Sequence, residues 1–401
     1  MNKPLSQLKI LDLSTLLPGP YASMLMADMG ADVLRIEAIG RDDLVKSFEP
    51  SINGNSYAFL TLNRNKKAIA LNLKKLAAVE IVKRLISEYD IVMEQFRPGV
   101  MAKLGLDYQT LKTINPKLIY CSITGYGQDG CYKNRAGHDI NYLALSGLAS
   151  FSGTQATGPV LSGTQIADIA GGSHHAVMGI MAAVFQRLST GQGQHIDISM
   201  TDAAFALTGM FGAGGVGAGE DPLLGSTVLN GGCFYDYYQT KDNRYLSVGS
   251  LEPKFAKIFF TEIGQGSWYK RTFSNDAQEQ AKLKEDILSI IKSQPLSYWT
   301  KKFNLLDACI EPVLSVSEAK NSPLMQDRNM VVEVKLPSGE SVKQIAPAIK
   351  FNHVVLDIDD KRQVQEISIA SPCQASTTAI LEKLSYSAQE INDLLNEGVI
   401  K

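Results

Sequence analysis

Short apolar runs alternate with stretches of helical spacing through the first 200 residues. That alternation limits the chain more than any other feature. Leu8 to Leu13 reads as a buried strand, broken by Pro18-Gly19-Pro20. Tyr21 to Met29 has helical spacing with Gly30 just past its end, and Asp32 to Glu37 is a second strand. The βαβ rhythm continues: Lys67–Leu73 strand, Leu76–Tyr89 amphipathic helix, Ile91–Phe96 strand. Helical turns within Arg97–Lys112 and a strand over Leu118–Ile123 follow. After Asp168 the pattern predicts a helix over Ser173–Leu188, a strand over His195–Met200 and a helix over Thr201–Phe211. Repeated βαβ units imply a parallel sheet, so the fold class is α/β with a Rossmann-like large domain.

At 401 residues the chain exceeds one ordinary core. The large domain is read as 1–208, completed by the C-terminal segment 331–401. Residues 209–232 form a glycine-rich linker, and 233–330 a smaller α+β domain with a hairpin at Cys233–Gly249. Gly212-Ala213-Gly214-Gly215-Val216-Gly217 matches G-x-G-x-x-G in letters only. It follows a helical run, so it reads as linker and not as a dinucleotide loop. The first βα turn, Ser14 to Pro20, lacks the fingerprint altogether.

The net charge of −2 gives no polyanion surface, so nucleic acid is not an expected partner. No apolar run approaches the ~20 residues of a membrane span. The first residues lack a signal-peptide run, and Val399-Ile400-Lys401 is not a peroxisomal address. The five cysteines are scattered and never paired as C-x-x-C, which fits a reducing cytoplasm and gives no metal site.

Candidate chemistry lies in two loops. Gly137-His138-Asp139-Ile140-Asn141-Tyr142 offers an imidazole beside a carboxylate. Asp168 sits before Gly171-Gly172, about thirty residues on. Residue types alone leave each group two roles. His138 with Asp139 is a structural pair or a base with its partner. Asp139 orients His138 or caps a helix beginning at Ile140, whose first amides face a developing enolate oxygen. Asp168 is an N-cap or an acid–base group, its glycines admitting a ligand to the backbone. Glu252 reads as a helix-start carboxylate ahead of Pro253. His174 and His175 point to different helix faces and read as packing residues. Arg35, Arg97, Lys66 and Lys67 are either solvated or aimed at a phosphate-rich ligand at the sheet's carboxyl end.

The order of several motifs resembles the family III CoA-transferase superfamily, of CaiB/BaiF type. They are Leu8-Lys9-Ile10-Leu11-Asp12-Leu13-Ser14, Gly30 to Glu37, Phe96-Arg97-Pro98-Gly99, Thr124-Gly125-Tyr126-Gly127 and Thr190 to Gln194. Gly137 to Tyr142, Asp168 with its glycines and Leu251-Glu252-Pro253 resemble its α-methylacyl-CoA racemase branch, and Asp307-Ala308-Cys309 is a further family-like stretch. Gln374 to Thr377 departs from the family's Gly-x-His-Thr segment, Ile349 stands where a second proline is usual, and 43–55 matches no segment.

The resemblance implies an interlocked homodimer, with Glu252 of one copy reaching His138 of the other. It implies an isomerase that racemises C2 of 2-methylacyl-CoA thioesters by 1,1-proton transfer through an enolate. His138, Asp168, Glu252 and Asp139 are its catalytic group. Arg35, Arg97, Lys66 and Lys67 are its CoA contacts. Coenzyme A enters as part of the substrate, and no metal or separate cofactor is expected. The alternative is a CoA-transferase acting through an aspartyl intermediate on Asp168, for which His138 is dispensable.

Overall fold

The computed structural model describes residues 3–274, 276–336, 339–351 and 374–401. Cys373 and the turn residues Pro337 and Ser338 lie outside them. The chain divides into two compact units: Met1–Ser146, Ser162–Leu207 and Leu324–Lys401 form one, Gly147–Leu161 and Thr208–Pro323 the other.

The first unit is built on a parallel sheet of β1 (Lys9–Asp12), β2 (Asp32–Ala38), β3 (Lys66–Leu71), β4 (Ile91–Glu94), β5 (Ile119–Thr124) and β6 (His195–Ser199). The spatial order is β6-β5-β4-β1-β2-β3, with every pairing parallel. Side chains alternate between two cores, as a strand period of two requires. Leu11, Leu34, Ile69, Val92 and Tyr120 enter one core, and Ile10, Val33, Ile91, Ile119 and Cys121 the other. Both faces are buried, which explains the apolar runs in the sequence. The last helices, Gln374–Lys383 and Ala388–Asn396, bring Leu381, Ile391, Leu394 and Ile400 into the first of these cores. β1 lies between β2 and β4, so the strand order reverses there. A crevice opens outside the carboxyl ends of strands at such a point.

One buried ionic cluster supports this end of β1. Asp12 is fully buried and accepts from the Ser14 amide at 2.9 Å and from the Ser14 and Ser23 hydroxyls. Lys66 Nζ lies 3.6 Å from it and donates to Pro20 O at 2.9 Å. Burial lowers the Lys66 ammonium to about 8. Asp12→Ala strands this cation without a counter-charge, and the expected loss is about 3–5 kcal/mol of unfolding free energy. A urea melt at pH 7 measures it, and a loss below about 1 kcal/mol would remove the cluster's structural role.

The second unit carries an antiparallel sheet of β7 (Asp236–Gln239), β8 (Tyr245–Val248) and β9 (Ile310–Pro312). Helices Pro253–Glu262, Ala277–Ile291 and Leu296–Phe303 cover it, with Phe259, Phe260, Leu283 and Trp299 in the core. Within 209–232, expected as linker, Gly212–Ala218 is helical despite its poor propensity. Its glycines have a steric reason: a Cβ at Gly215 meets the Asp221 carboxylate at 2.4 Å, and one at Gly214 meets Glu220 O at 3.1 Å. The chain folds back over the helix after Gly219, whose φ is +71°. Val331–Lys335 pairs antiparallel with Ser341–Ile345 in a separate two-stranded sheet packed on Leu60.

Candidate active site

The segments leaving β1, β4 and β5 line one cleft of about 430 Å³ in the first unit. Leu16 and Pro18 come from the first, Gln95 to Pro98 from the second, and Thr124 to Tyr126 from the third. This is the position the switch in strand order predicts. His138 and Asp168 line the same cleft, with Asn141 and Tyr142.

His138 begins the helix Asp139–Leu145. Its amide donates to Asn141 Oδ1 at 3.0 Å, and the Asn141 amide donates back to His138 O at 2.8 Å. His138, not Asp139, therefore holds the cap position, because Asn141 supplies the acceptor that fixes the turn. Tyr142 braces the loop from below, its hydroxyl donating to Gly137 O at 2.6 Å. Its ring sits where a Cβ on Gly125 or Gly137 would be, 2.5 and 2.7 Å away, so both positions exclude side chains. Tyr126 packs edge-on against Tyr142 at 5.3 Å.

Asp168 lies in a π-helical turn, Ala167–His174, that continues into the helix His175–Thr190. Such turns are uncommon and cluster at functional sites. Asp139 Oδ1 accepts from the Asp168 amide at 3.0 Å, tying the two loops together. Asp139 is thus a positioning residue between the two candidates. Gly171 and Gly172 do not open the backbone to a ligand. A Cβ on Gly171 would meet Met200 O at 3.2 Å, and one on Gly172 would meet Pro18 at 3.0 Å, so both serve helix packing. His175 Nδ1 pairs with Ala170 O at 2.7 Å and His174 packs on Tyr21, both structural contacts.

Burial, then the neighbouring Asp139 carboxylate, raise the Asp168 carboxyl to about 6, while His138 opposes the rise. A carboxyl poised there is half protonated near pH 6 and can both give and take a proton, which suits acid–base work. If Asp168 removes the α-proton, activity in that direction needs its ionised form. The expected kcat/KM falls tenfold per unit below about pH 6. A pH–rate profile with no break between 5 and 7 would exclude Asp168 as the base.

The expected CoA cations separate on inspection. Arg97 lines the cleft. Arg35 is 2% exposed, pairs with Glu37 and stacks over Phe59 at 4.7 Å. Lys66 is 1% exposed and held by Asp12. Lys67 is exposed and pairs with Asp32 at 2.8 Å. Arg35, Lys66 and Lys67 do not line the cleft. Glu252 is exposed in the second unit, where it starts the helix Pro253–Glu262. Lys133 and Arg135 also line the cleft, and sequence reasoning passed over them. Their signal is a basic pair placed directly before the Gly-His-Asp motif.

A smaller cavity of about 130 Å³ shares Arg97 and Pro98 with the cleft. Glu94, 3% exposed, lines it and is raised to about 7 by burial. Ser122 Oγ lies 2.9 Å from His195 Nε2 in its wall.

The parallel sheet with its switch-point cleft defines a Rossmann-like α/β fold. The family profile described as CoA-transferase family III matches residues 5–361, and the chain belongs to that family. It is 31% identical to the mouse (Mus musculus) alpha-methylacyl-CoA racemase, over 98% of this chain and 96% of that protein. It is 30% identical to the human (Homo sapiens) succinyl-CoA:glutarate CoA-transferase, over 99% and 90%. Among solved structures, a CAIB/BAIF family protein from Brucella suis superposes with a TM-score of 0.80 at 26% identity, over 96% of this chain and all of that one. The α/β fold class and the family resemblance drawn from the motifs both hold. No helix among the described residues is long and apolar enough to cross a membrane.

Proposed function

We propose that this chain racemises or epimerises C2 of a 2-methylacyl-CoA thioester. The observation that carries the reading is the shared cleft of His138 and Asp168, with a carboxyl at about 6 beside an imidazole. The thioester acidifies the α-hydrogen by delocalising the carbanion into an enolate. One group takes the proton from one face and the other returns a proton to the opposite face. Neutral imidazole with carboxylic acid serves one direction, imidazolium with carboxylate the other. Asp139 keeps the groups in register through the Asp168 amide. Arg97 stands in the cleft as the contact for CoA phosphates. In an interlocked homodimer Glu252 of the second copy would pair with His138 and orient its ring.

The test is incubation with a 2-methylacyl-CoA in D2O, without added acid, followed by NMR at the α-position. Deuterium uptake with loss of optical purity is expected. A second reading is supported by relatives named CoA-transferases at the same level of identity. There Asp168 attacks the thioester, forming a mixed anhydride and then an aspartyl-CoA thioester. Absence of exchange, with CoA moving once a free acid is added, favours that reading.

A further inference from the structure

The cleft is unevenly charged. Arg97, Lys133 and Arg135 line it, and Asp168 is the only carboxylate among the lining residues. Lys133 and Arg135 belong to the loop that runs into His138, whereas Arg97 follows β4. The loop is braced from within. The Arg135 amide donates to Tyr132 O at 2.8 Å, closing a turn. The Arg135 guanidinium lies 4.1 Å over the Tyr132 ring, Tyr132 packs on Tyr126 at 5.8 Å, and Tyr126 on Tyr142 at 5.3 Å. Stacking uses the face of the guanidinium and leaves its edge donors available for a planar anion. Lys133 has no hydrogen-bond or ion-pair partner among the described residues, and its side chain is exposed.

We propose that Lys133 and Arg135 recognise a carboxylate on the acyl group, so that the preferred thioester is that of a 2-methyl dicarboxylic acid. This rests on the racemase reading of the same cleft. Reach supports the acyl end: Arg135 is three residues from His138, so their Cα atoms are at most roughly 10 Å apart. That bound puts an acyl chain held at His138 within reach of the long Lys133 and Arg135 side chains. The pantetheine arm holds the phosphates of CoA away from the thioester.

The experiment compares a 2-methylacyl-CoA bearing a terminal carboxylate with its methyl ester, which keeps the shape and removes the charge. The readout is the ratio of kcat/KM for α-deuterium exchange. Wild type is expected to favour the free carboxylate by about 10- to 100-fold. Lys133→Gln, which breaks no contact with protein, should lower that ratio severalfold, and the double variant with Arg135→Gln should bring it within about threefold of unity. A wild-type ratio near one overturns the proposal. So does an equal loss on both thioesters, which assigns the cations to CoA phosphates. If no thioester exchanges at all, the racemase reading falls instead. Calorimetric binding of the same two thioesters then decides the carboxylate preference by itself.

Discussion

His138→Ala is expected to lower racemisation at C2 by roughly 10²–10⁴-fold, the usual contribution of one positioned acid–base group. The loss should appear in kcat, because the imidazole is asked to move a proton and not to hold the substrate. The fold should survive. His138 is exposed, and its hydrogen bonds to Asn141 run through its backbone amide and carbonyl. A surface change of this kind moves stability by about 0.5 kcal/mol or less. Loss of optical purity and a thermal melt on the same preparation separate the two effects. The variant also divides the two chemistries. A transferase passes CoA through Asp168 and has no step that needs an imidazole on the opposite face. CoA transfer to a free acid that persists in His138→Ala while exchange was never present would give the chain to the transferases. Full racemisation by the variant would remove His138 from the reaction.

The sheet was legible because parallel strands are buried on both faces and therefore write uninterrupted apolar runs. Ile91–Glu94 and Ile119–Thr124 are buried throughout. The pairing of His138 with Asp168 was legible only as two loops of suitable chemistry. What joins their loops is a bond from the Asp168 backbone amide to the Asp139 side-chain carboxylate, and no spacing rule encodes it. The role of the glycines was misread for a related reason. A glycine beside a catalytic candidate suggests room for a ligand, yet Gly171 and Gly172 are small because Met200 and Pro18 are close. Arg35 and Lys66 show the same limit. A cation at a strand end looks available until the fold supplies Glu37 and Asp12. Lys133 and Arg135 were passed over because a loop between two motifs has no periodicity to read.

Asp168→Asn should remove activity under either chemistry, by roughly 10²–10⁴-fold in racemisation at C2 or in CoA transfer. The amide keeps the shape of the carboxyl, but it neither exchanges a proton at neutral pH nor attacks a thioester. Its effect on stability has a definite sign. Burial and Asp139 raise the folded carboxyl from 3.8 to about 6, so the folded state binds this proton more tightly than the unfolded chain. That contribution is present at low pH and is lost as the pH rises through about 6. At pH 8 wild type holds an ionised Asp168 in a half-buried site beside a second carboxylate, and asparagine relieves it. The variant's Tm at pH 8 should therefore equal or exceed that of wild type, with the gap closing toward pH 4. The backbone bond to Asp139 is unchanged by the substitution, so the two loops stay joined. An inactive variant with an undiminished Tm at pH 8 is what a residue kept for chemistry predicts. A variant that loses activity and Tm together would mean that Asp168 holds the π-helical turn in place, and the proton relay would need another acid.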